Sequence, residues 1–427
     1  MNYISFILYL LFNISFFLHL PARVPFLGVI RFDLLLIVIV FLTLLVAKKN
    51  RTNEREVNNS TSIILIILIC YIIISIPFVE WPGSVLKKNS LNFIKVIIFY
   101  YYTILLIDTE RKLKAYMAIF LICQSLRVFE PLYLHITEGY WGDKASMMAG
   151  EEFMSRLAGA PSDVINPNGL AFVIVSIIPF FYYLGSISLR NGIIYFLPLP
   201  AFIYALILTA SRSGFLALIA ILSGIVIKSQ RKVIVIGIIV MGGLIAFASL
   251  TADQRDRYAS VYDENTKNYG TSQGRTQGII EDLKIALNKP LVGHGLGTSP
   301  EARFHSIGSS LLSHNLYTEI MLELGLIGLI IFLLFMRSII VNFYAALKKI
   351  KENPMDNAYL FNIAHAMQIW FAMNLLFSFA SYGLSTYAWY LFGGLSVVIK
   401  KLADEKTTQN RNRNEVGTHK PRNLLYR

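Results

Sequence analysis

The sequence predicts an all-α polytopic membrane protein, a bundle of about twelve transmembrane helices with a large extracytoplasmic loop. Two features of the composition lead to this class. Of the 427 residues, 55% are hydrophobic and only 15% are charged, whereas about a quarter of the residues of a soluble protein are charged. The hydrophobic residues also occur in runs of about 20, the length that a helix needs to cross a bilayer. An ordinary soluble enzyme is therefore excluded.

About twelve apolar runs are long enough to span the membrane. They lie at residues 3–20, 26–47, 62–79, 91–107, 114–136, 168–185, 193–210, 213–228, 233–250, 315–336, 358–380 and 383–400. The first run lacks the basic start and the cleavage site of a signal peptide, so we expect it to remain as a helix. With the N-terminus in the cytoplasm, most Lys and Arg residues of the connecting segments fall on the cytoplasmic side. Both termini are therefore predicted to be cytoplasmic.

Two connecting segments on the outer side, 137–167 and 251–313, are long enough to have a function of their own. In the second, the spacing near 275–288 predicts an amphipathic helix that ends before Pro290 and lies along the membrane surface. Its expected apolar face contains Ile279, Ile280, Leu283 and Leu287, and its expected polar face contains Glu281, Asp282 and Lys284.

Charge and cysteine content limit the partners. The excess of 39 Lys+Arg over 26 Asp+Glu reports orientation in the membrane, and we expect no nucleic-acid partner. Cys70 and Cys123 both lie in apolar runs, so a disulfide framework is not expected. Residues 1–400, including both outer segments, are assigned to the transmembrane bundle, and 401–427 to a disordered, basic, cytoplasmic tail.

His314 and Asn315 stand where the long outer segment re-enters the membrane. A neutral imidazole at this position can accept a proton from a hydroxyl near physiological pH, and Asn315 is a candidate to bind the same substrate. A histidine that caps the start of the next helix is the alternative interpretation. Glu319 and Glu323, further along that helix, either orient the imidazole or line a polar seam. Spacing alone does not distinguish these two roles of the glutamates.

Arginines on the outer side form a second group of candidates. Arg212 interrupts the apolar sequence between two spans, and Arg275 and Arg303 lie in the long outer segment. A guanidinium stays charged and grips phosphate through two parallel hydrogen bonds, so these residues predict a lipid-linked phosphate or diphosphate as ligand. For Arg303, as for Arg255 and Arg257, contact with solvent or lipid headgroups is the competing interpretation.

Arg127 is a further candidate for substrate binding, inside a predicted span. Glu130 lies three residues later and therefore on the same helix face. A structural ion pair between the two is one interpretation, and a contribution of Arg127 to the substrate pocket is the other.

Nucleotide and metal sites are not expected. Gly293, Gly295 and Gly297 predict a tight turn, because no strand precedes them and no βαβ unit is present. On the outer side no Asp-x-Asp pair occurs, although a cation that binds a diphosphate needs oxygen ligands. We therefore expect neither a metal nor a cofactor.

Several separated motifs resemble those of the O-antigen ligase and polymerase superfamily of bacterial envelope proteins. The resemblance is carried by Gly159 with Asn166-Pro167-Asn168, by Ser211-Arg212, by Gly274-Arg275 followed by Pro290, Gly293 and Gly297, and by His314-Asn315-x9-Gly325-x-x-Gly328. It is best from about residue 156 to 336. Ile279 departs from the pattern, since the position four residues after the arginine is often aromatic in the superfamily.

The resemblance implies a metal-independent glycosyltransferase of the bacterial inner membrane with a periplasmic active site. Its donor would be a glycan on undecaprenyl diphosphate, and membrane lipids would be its other partners. Arg212 and Arg275 would bind the diphosphate, and His314 would activate the acceptor hydroxyl. An O-antigen ligase, with lipid A core as acceptor, is favoured by the His-Asn-x9-Gly-x-x-Gly pattern.

Two alternatives remain. An O-antigen or capsule repeat-unit polymerase would use the same donor, with another carrier-linked glycan as acceptor. A transporter of lipid-linked saccharides would instead use Arg127, Glu130, Arg31 and Asp33 to line a pathway, but the sequence lacks evident Gly- or Pro-broken helices paired between two halves.

Overall fold

The computed structural model describes residues 2–48, 59–142, 155–248, 255, 269–311, 314–351, 357–381 and 383–418. Within these ranges the chain is helical with connecting turns and contains no strand. Seven helical segments of the described part, some of which combine consecutive helices, are long and apolar enough to cross a membrane, namely Ser60–Phe78, Pro82–Leu106, Glu110–Glu138, Pro167–Gly185, Leu189–Thr209, Leu316–Ile350 and Ala358–Phe377. The chain is an all-α polytopic membrane protein, as predicted.

The helices follow one another with short connections. The first eight are α1 (Asn2–Leu18), α2 (Leu20–Arg23), α3 (Pro25–Val29), α4 (Phe32–Lys48), α5 (Ser60–Ser75), α6 (Pro82–Ser84), α7 (Ser90–Leu106) and α8 (Glu110–Glu138). The others are α9 (Pro167–Gly185), α10 (Leu189–Phe196), α11 (Leu199–Thr209), α12 (Arg212–Lys228), α13 (Lys232–Ala248), α14 (Tyr269–Ala286), α15 (Ser299–Ile307), α16 (Leu316–Ile350), α17 (Ala358–Phe377) and α18 (Tyr387–Thr418).

Each predicted apolar run contains a helix, but fewer than twelve helices have the length and hydropathy of a complete span. The apolar segments of α1, α4 and α13 are shorter, at Tyr3–Leu18, Phe32–Val46 and Lys232–Leu244. The run predicted at 193–210 forms two helices, α10 and α11, which separate at Pro198. Proline cannot donate the backbone hydrogen bond that would join them.

Helix α18 extends further than predicted. It continues to Thr418, into the segment that we expected to be a disordered tail, while 419–427 lies outside the described residues. Two ion pairs attach this extension to the bundle: Lys349 pairs with Asp404 at 2.5 Å, and Lys406 pairs with Glu110. These ion pairs hold the polar end of α18 against other helices. Composition alone does not reveal such partners.

An aromatic cluster joins α18 to the helices at the start of the chain. The ring of Tyr387 has its centroid 5.2–5.5 Å from those of Phe16, Phe17 and Phe99. Its hydroxyl accepts a hydrogen bond from Gln124 of α8 at 3.0 Å. The start of α18 is thereby fixed in the core of the bundle.

Helix α16 is broken at Gly325, where φ is 66° and ψ is −171°. The segment from Pro290 to Gly295 fills the break: Leu326 N–H donates to Pro290 O at 2.8 Å, and Gly295 N–H donates to Glu323 O at 2.9 Å. A Cβ atom on Gly325 would lie 2.3 Å from Leu291 O. The break is therefore closed by backbone of the same chain.

The predicted tight turn is confirmed. Gly293, Gly295 and Gly297 have φ of 71°, 127° and 71°, a region that side chains other than glycine rarely adopt. A Cβ atom on Gly293 would lie 2.4 Å from the backbone of Glu323. Gly293 and Gly325, which belong to two separate motifs of the sequence, therefore lie where two backbone segments are in contact.

The predicted amphipathic helix is present as α14, and a residue of its predicted polar face packs against the protein. In α14, Asp282 is buried, whereas Ile280 and Leu283 are exposed. The reason is an ion pair between helices: the guanidinium of Arg303 in α15 binds Asp282, and the hydroxyl of Thr318 in α16 donates to the same carboxylate at 3.5 Å. A paired charge is buried here in preference to apolar side chains.

Candidate active site

His314 lines a cleft of about 250 Å³ at the end of the bundle where α9 and α16 begin. The cleft, called here the His314 cleft, is lined by Asn166, Asn168, Gly169, Phe172, His314, Leu316, Asn374, Phe377, Ser378, Ala380, Ser381, Thr386 and Trp389. The lining combines aromatic rings with carboxamides, hydroxyls and the imidazole. Such a mixture of a ring surface and hydrogen-bonding groups suits a sugar, which has both apolar faces and hydroxyls.

The backbone of His314 is in the left-handed region, with φ of 59°. For a residue with a side chain this conformation is uncommon, and strained positions of this kind cluster at functional sites. The next residue fixes it. Asn315 caps α16, because its Oδ1 accepts from the N–H groups of Tyr317 and Thr318 at 3.0 and 3.1 Å. The capping role at the start of α16 therefore belongs to Asn315.

The carboxamide of Asn315 also joins α16 to the end of α17. Its Nδ2 donates to Phe379 O at 3.3 Å. Both ends of the amide therefore hydrogen-bond to backbone groups of the protein.

Arg212 is the first residue of α12 and is buried, with 8% of its surface exposed. Ser211 caps this helix and donates from Oγ to Asn168 Oδ1 at 2.9 Å. Helices α9 and α12 approach closely here, since a Cβ atom on Gly214 would lie 2.6 Å from Ala171 Cβ. The helix start that carries Arg212 is therefore one hydrogen bond away from the wall of the His314 cleft.

For Arg275, the second arginine predicted to bind a diphosphate, only the position in a helix is described. Arg275 lies in α14, and its side chain is outside the described residues. Helix α14 packs against α16 through Ile285 and Ala286, which are buried with Leu322. The helix of Arg275 is thus attached to the helix that begins next to His314.

Residues 197–333 match a family model described as O-antigen ligase. The chain is also 26% identical over 207 residues to an O-antigen polymerase of Salmonella muenchen. The resemblance to the O-antigen ligase and polymerase superfamily is confirmed. The second match covers 47% of this chain and 50% of the relative, so the chain spans about half of that protein's length in the match. Arg212, Arg275 and His314 all lie within the range of the family model.

Glu319 and Glu323, the two glutamates near the start of α16, bind different segments of the chain. Glu319 Oε2 accepts from the N–H of Gly383 at 2.7 Å, which holds the connection that carries Ser381 and Thr386 in the cleft wall. Glu323 Oε1 accepts from Ser299 Oγ at 2.6 Å, at the start of α15. Each carboxylate fixes a different segment against α16.

Arg303, predicted to bind substrate, is occupied by carboxylates. It contacts Asp282 and donates from Nη2 to Glu281 Oε2 at 3.2 Å. Because both acids belong to α14, Arg303 attaches α15 to that helix. This placement favours a structural role for Arg303.

The predicted partner of Arg127 is wrong. Its guanidinium binds the carboxylate of Asp163 through two hydrogen bonds, at 2.5 and 3.0 Å, and both side chains are buried. Glu130 instead binds Arg23, with its two oxygens 2.8 and 2.5 Å from the guanidinium nitrogens. These hydrogen bonds raise the pKa of Arg23. Arg127 thus anchors the superfamily segment that carries Asn166 and Asn168.

We expect Asp163→Asn to destabilise the fold strongly. The substitution removes the charge that balances a buried guanidinium, and breaking a buried pair in this way costs about 3–5 kcal/mol. Thermal unfolding in detergent measures the effect. The matched control is Glu130→Gln, in a pair that is about one third exposed, where we expect a loss below about 1 kcal/mol. Equal effects of the two substitutions would show that Asp163 has no special structural role.

Arg156, which the sequence analysis did not single out, hydrogen-bonds to a residue of the cleft wall. It is only 2% exposed, and it donates from Nε to Thr209 O at 2.9 Å and from Nη2 to Asn168 Oδ1 at 3.0 Å. The available signal was an arginine three residues before Gly159 in the segment that resembles the superfamily. Among the described residues, no group of three or more His, Cys, Asp and Glu is arranged to hold a metal ion.

Proposed function

We propose that this protein is a membrane glycosyltransferase that moves a glycan from an undecaprenyl-diphosphate carrier to a sugar hydroxyl in the His314 cleft. The observation that carries the proposal is the position of His314. It is held in a left-handed conformation, lines a cleft with hydrogen-bonding walls, and lies within the matched family region. Arg212 begins the helix whose cap binds the wall of the same cleft.

The reaction is a displacement at the first sugar carbon of the donor. The acceptor oxygen forms a bond to this carbon while the bond to the diphosphate oxygen breaks, and the acceptor proton passes to the imidazole of His314. Arg212 and Arg275 stabilise the negative charge of the departing diphosphate, where it develops. A single displacement inverts the configuration at the sugar. No step requires a metal ion.

The direction of the active site follows from the same proposal. The excess of Lys and Arg in the segments on one side of the membrane supports a cytoplasmic location of the termini. The ends of the bundle with His314 and Arg212 then face the periplasm of a bacterium, and the enzyme acts in its inner membrane.

Two acceptors fit this reaction. The family description and the His-Asn-x9-Gly-x-x-Gly pattern, with His314 and Gly328, favour an O-antigen ligase, whose acceptor is lipid A core. The similarity to an O-antigen polymerase favours a second carrier-linked repeat as acceptor. We retain the ligase as the first candidate and the polymerase as the second.

Purified protein supplied with carrier-linked repeats alone distinguishes the two. A ligase is expected to leave these repeats unchanged until lipid A core is added, and then to join glycan to the core. Elongation of the repeats without core identifies a polymerase. Gel separation of radiolabelled products measures both reactions. Absence of both products, in protein that remains folded, contradicts the proposed transfer.

A further inference from the structure

We infer that the carboxamide of Asn168 binds a glycan oxygen in the His314 cleft and is oriented for this purpose by Arg156 and Ser211. This inference rests on the proposed function, because it names a substrate contact within the same cleft. The role assigned to Asn168 is that of a substrate-binding residue, and the role assigned to Arg156 is positioning.

The orientation of the amide is fixed by two donors. Asn168 Oδ1 accepts from Arg156 Nη2 at 3.0 Å and from Ser211 Oγ at 2.9 Å. A guanidinium has no acceptor, so reversing the amide would place its NH₂ group against a second donor. The Nδ2 atom is therefore on the side away from Arg156.

The amide nitrogen is available to a ligand. Asn168 lines the cleft and is half-buried, and within the described ranges its Nδ2 has no hydrogen-bond partner. It carries two N–H groups and no charge. A neutral donor of this kind matches the hydroxyl and ring oxygens of a sugar, whereas the guanidiniums match phosphate.

Arg156 gives the amide a rigid support. Its side chain is 2% exposed and connects Thr209, at the end of α11, with Asn168, at the start of α9. Ser211, the cap of α12, supplies the second hydrogen bond. Three helix ends therefore determine where one side chain lies, and such preorganisation is typical of binding groups.

Asn166, two residues earlier, provides a contrast. Its Oδ1 accepts from Gly169 N–H at 2.8 Å and thereby caps α9. The first asparagine of the motif starts the helix. The second has no such local task, because its oxygen is bound by residues of other segments.

Binding measurements with Asn168→Asp test the inference. Aspartate keeps an oxygen for Arg156 and Ser211, so we expect the variant to fold, but its carboxylate has no proton to donate. The probes are undecaprenyl diphosphate with the glycan, undecaprenyl diphosphate alone, and the acceptor glycan, each titrated calorimetrically in detergent. We expect affinity for one of the two glycan-bearing probes to fall about tenfold, with binding of the unglycosylated carrier unchanged.

The pattern of losses decides the result. A loss confined to the donor glycan or to the acceptor glycan supports the inference and identifies which substrate Asn168 contacts. An equal loss for the carrier with and without glycan would show only repulsion by the new charge, and no loss would show no contact; both overturn it. Arg156→Lys, which keeps the charge but not the planar fork, should weaken binding of the same probe to a smaller extent.

These outcomes are independent of catalysis. If a variant at His314 retains full transfer, the proposed mechanism fails while the binding data still report on Asn168. If the His314 variant is inactive and Asn168→Asp binds every probe normally, only the inference about Asn168 fails.

Discussion

His314→Ala is expected to reduce glycan transfer by a factor of about 10² to 10⁴, the usual contribution of a positioned general base. The imidazole accepts the proton of the acceptor hydroxyl, and alanine leaves no group to do so. Affinity for the donor should be retained, since the diphosphate is assigned to arginines. Single-turnover transfer with purified protein measures the rate without the influence of product release.

The control for this substitution is His305→Ala. His305 is an exposed histidine of α15, outside the His314 cleft, and its ring stacks on Trp81 at 5.5 Å. We expect transfer by this variant to be close to that of the unaltered protein. Normal transfer by His314→Ala, or an equal loss in both variants, contradicts the role of His314.

Gly325→Ala is expected to destabilise the fold by about 2–6 kcal/mol. The combination of φ 66° and ψ −171° is accessible almost only to glycine, and occupying it costs another residue about 1–3 kcal/mol. The added Cβ atom would also lie 2.3 Å from Leu291 O, a clash that adds a cost of similar size. Thermal unfolding in detergent measures the loss.

Gly243→Ala is the matched control. Gly243 lies in α13, and a Cβ atom there would meet nothing within 4 Å. Alanine favours a helix over glycine by about 0.5–1 kcal/mol, so the melting temperature should be unchanged or raised. A large loss in this variant, or none in Gly325→Ala, would show that the broken helix does not depend on glycine.

The fold could be predicted in outline because hydropathy reports each apolar run separately. A helix occupies every predicted run, from α1 to α18. The break in α16 was not foreseen, since a Gly-x-x-Gly sequence does not specify which glycine leaves the helix. That outcome depends on Pro290 and Leu291, which supply the backbone partners from another segment.

Around the candidate site, one predicted local contact was wrong. Arg127 has a carboxylate three residues away, but it binds Asp163, which is 36 residues distant. Helical spacing predicts that Arg127 pairs with the nearby carboxylate of Glu130. In the structure the buried guanidinium instead donates two hydrogen bonds to Asp163. The contribution of Arg156 was missed for the same reason, because its partners Thr209 and Asn168 lie on other helices.

The most direct test is a structure of the protein with a carrier-linked glycan whose linkage cannot react. We predict that the first sugar lies in the His314 cleft, that its diphosphate contacts Arg212, and that a bound acceptor places a hydroxyl about 3 Å from the imidazole of His314. A glycan bound elsewhere in the bundle, with His314 distant from both substrates, would contradict the assignment of this cleft as the site of transfer.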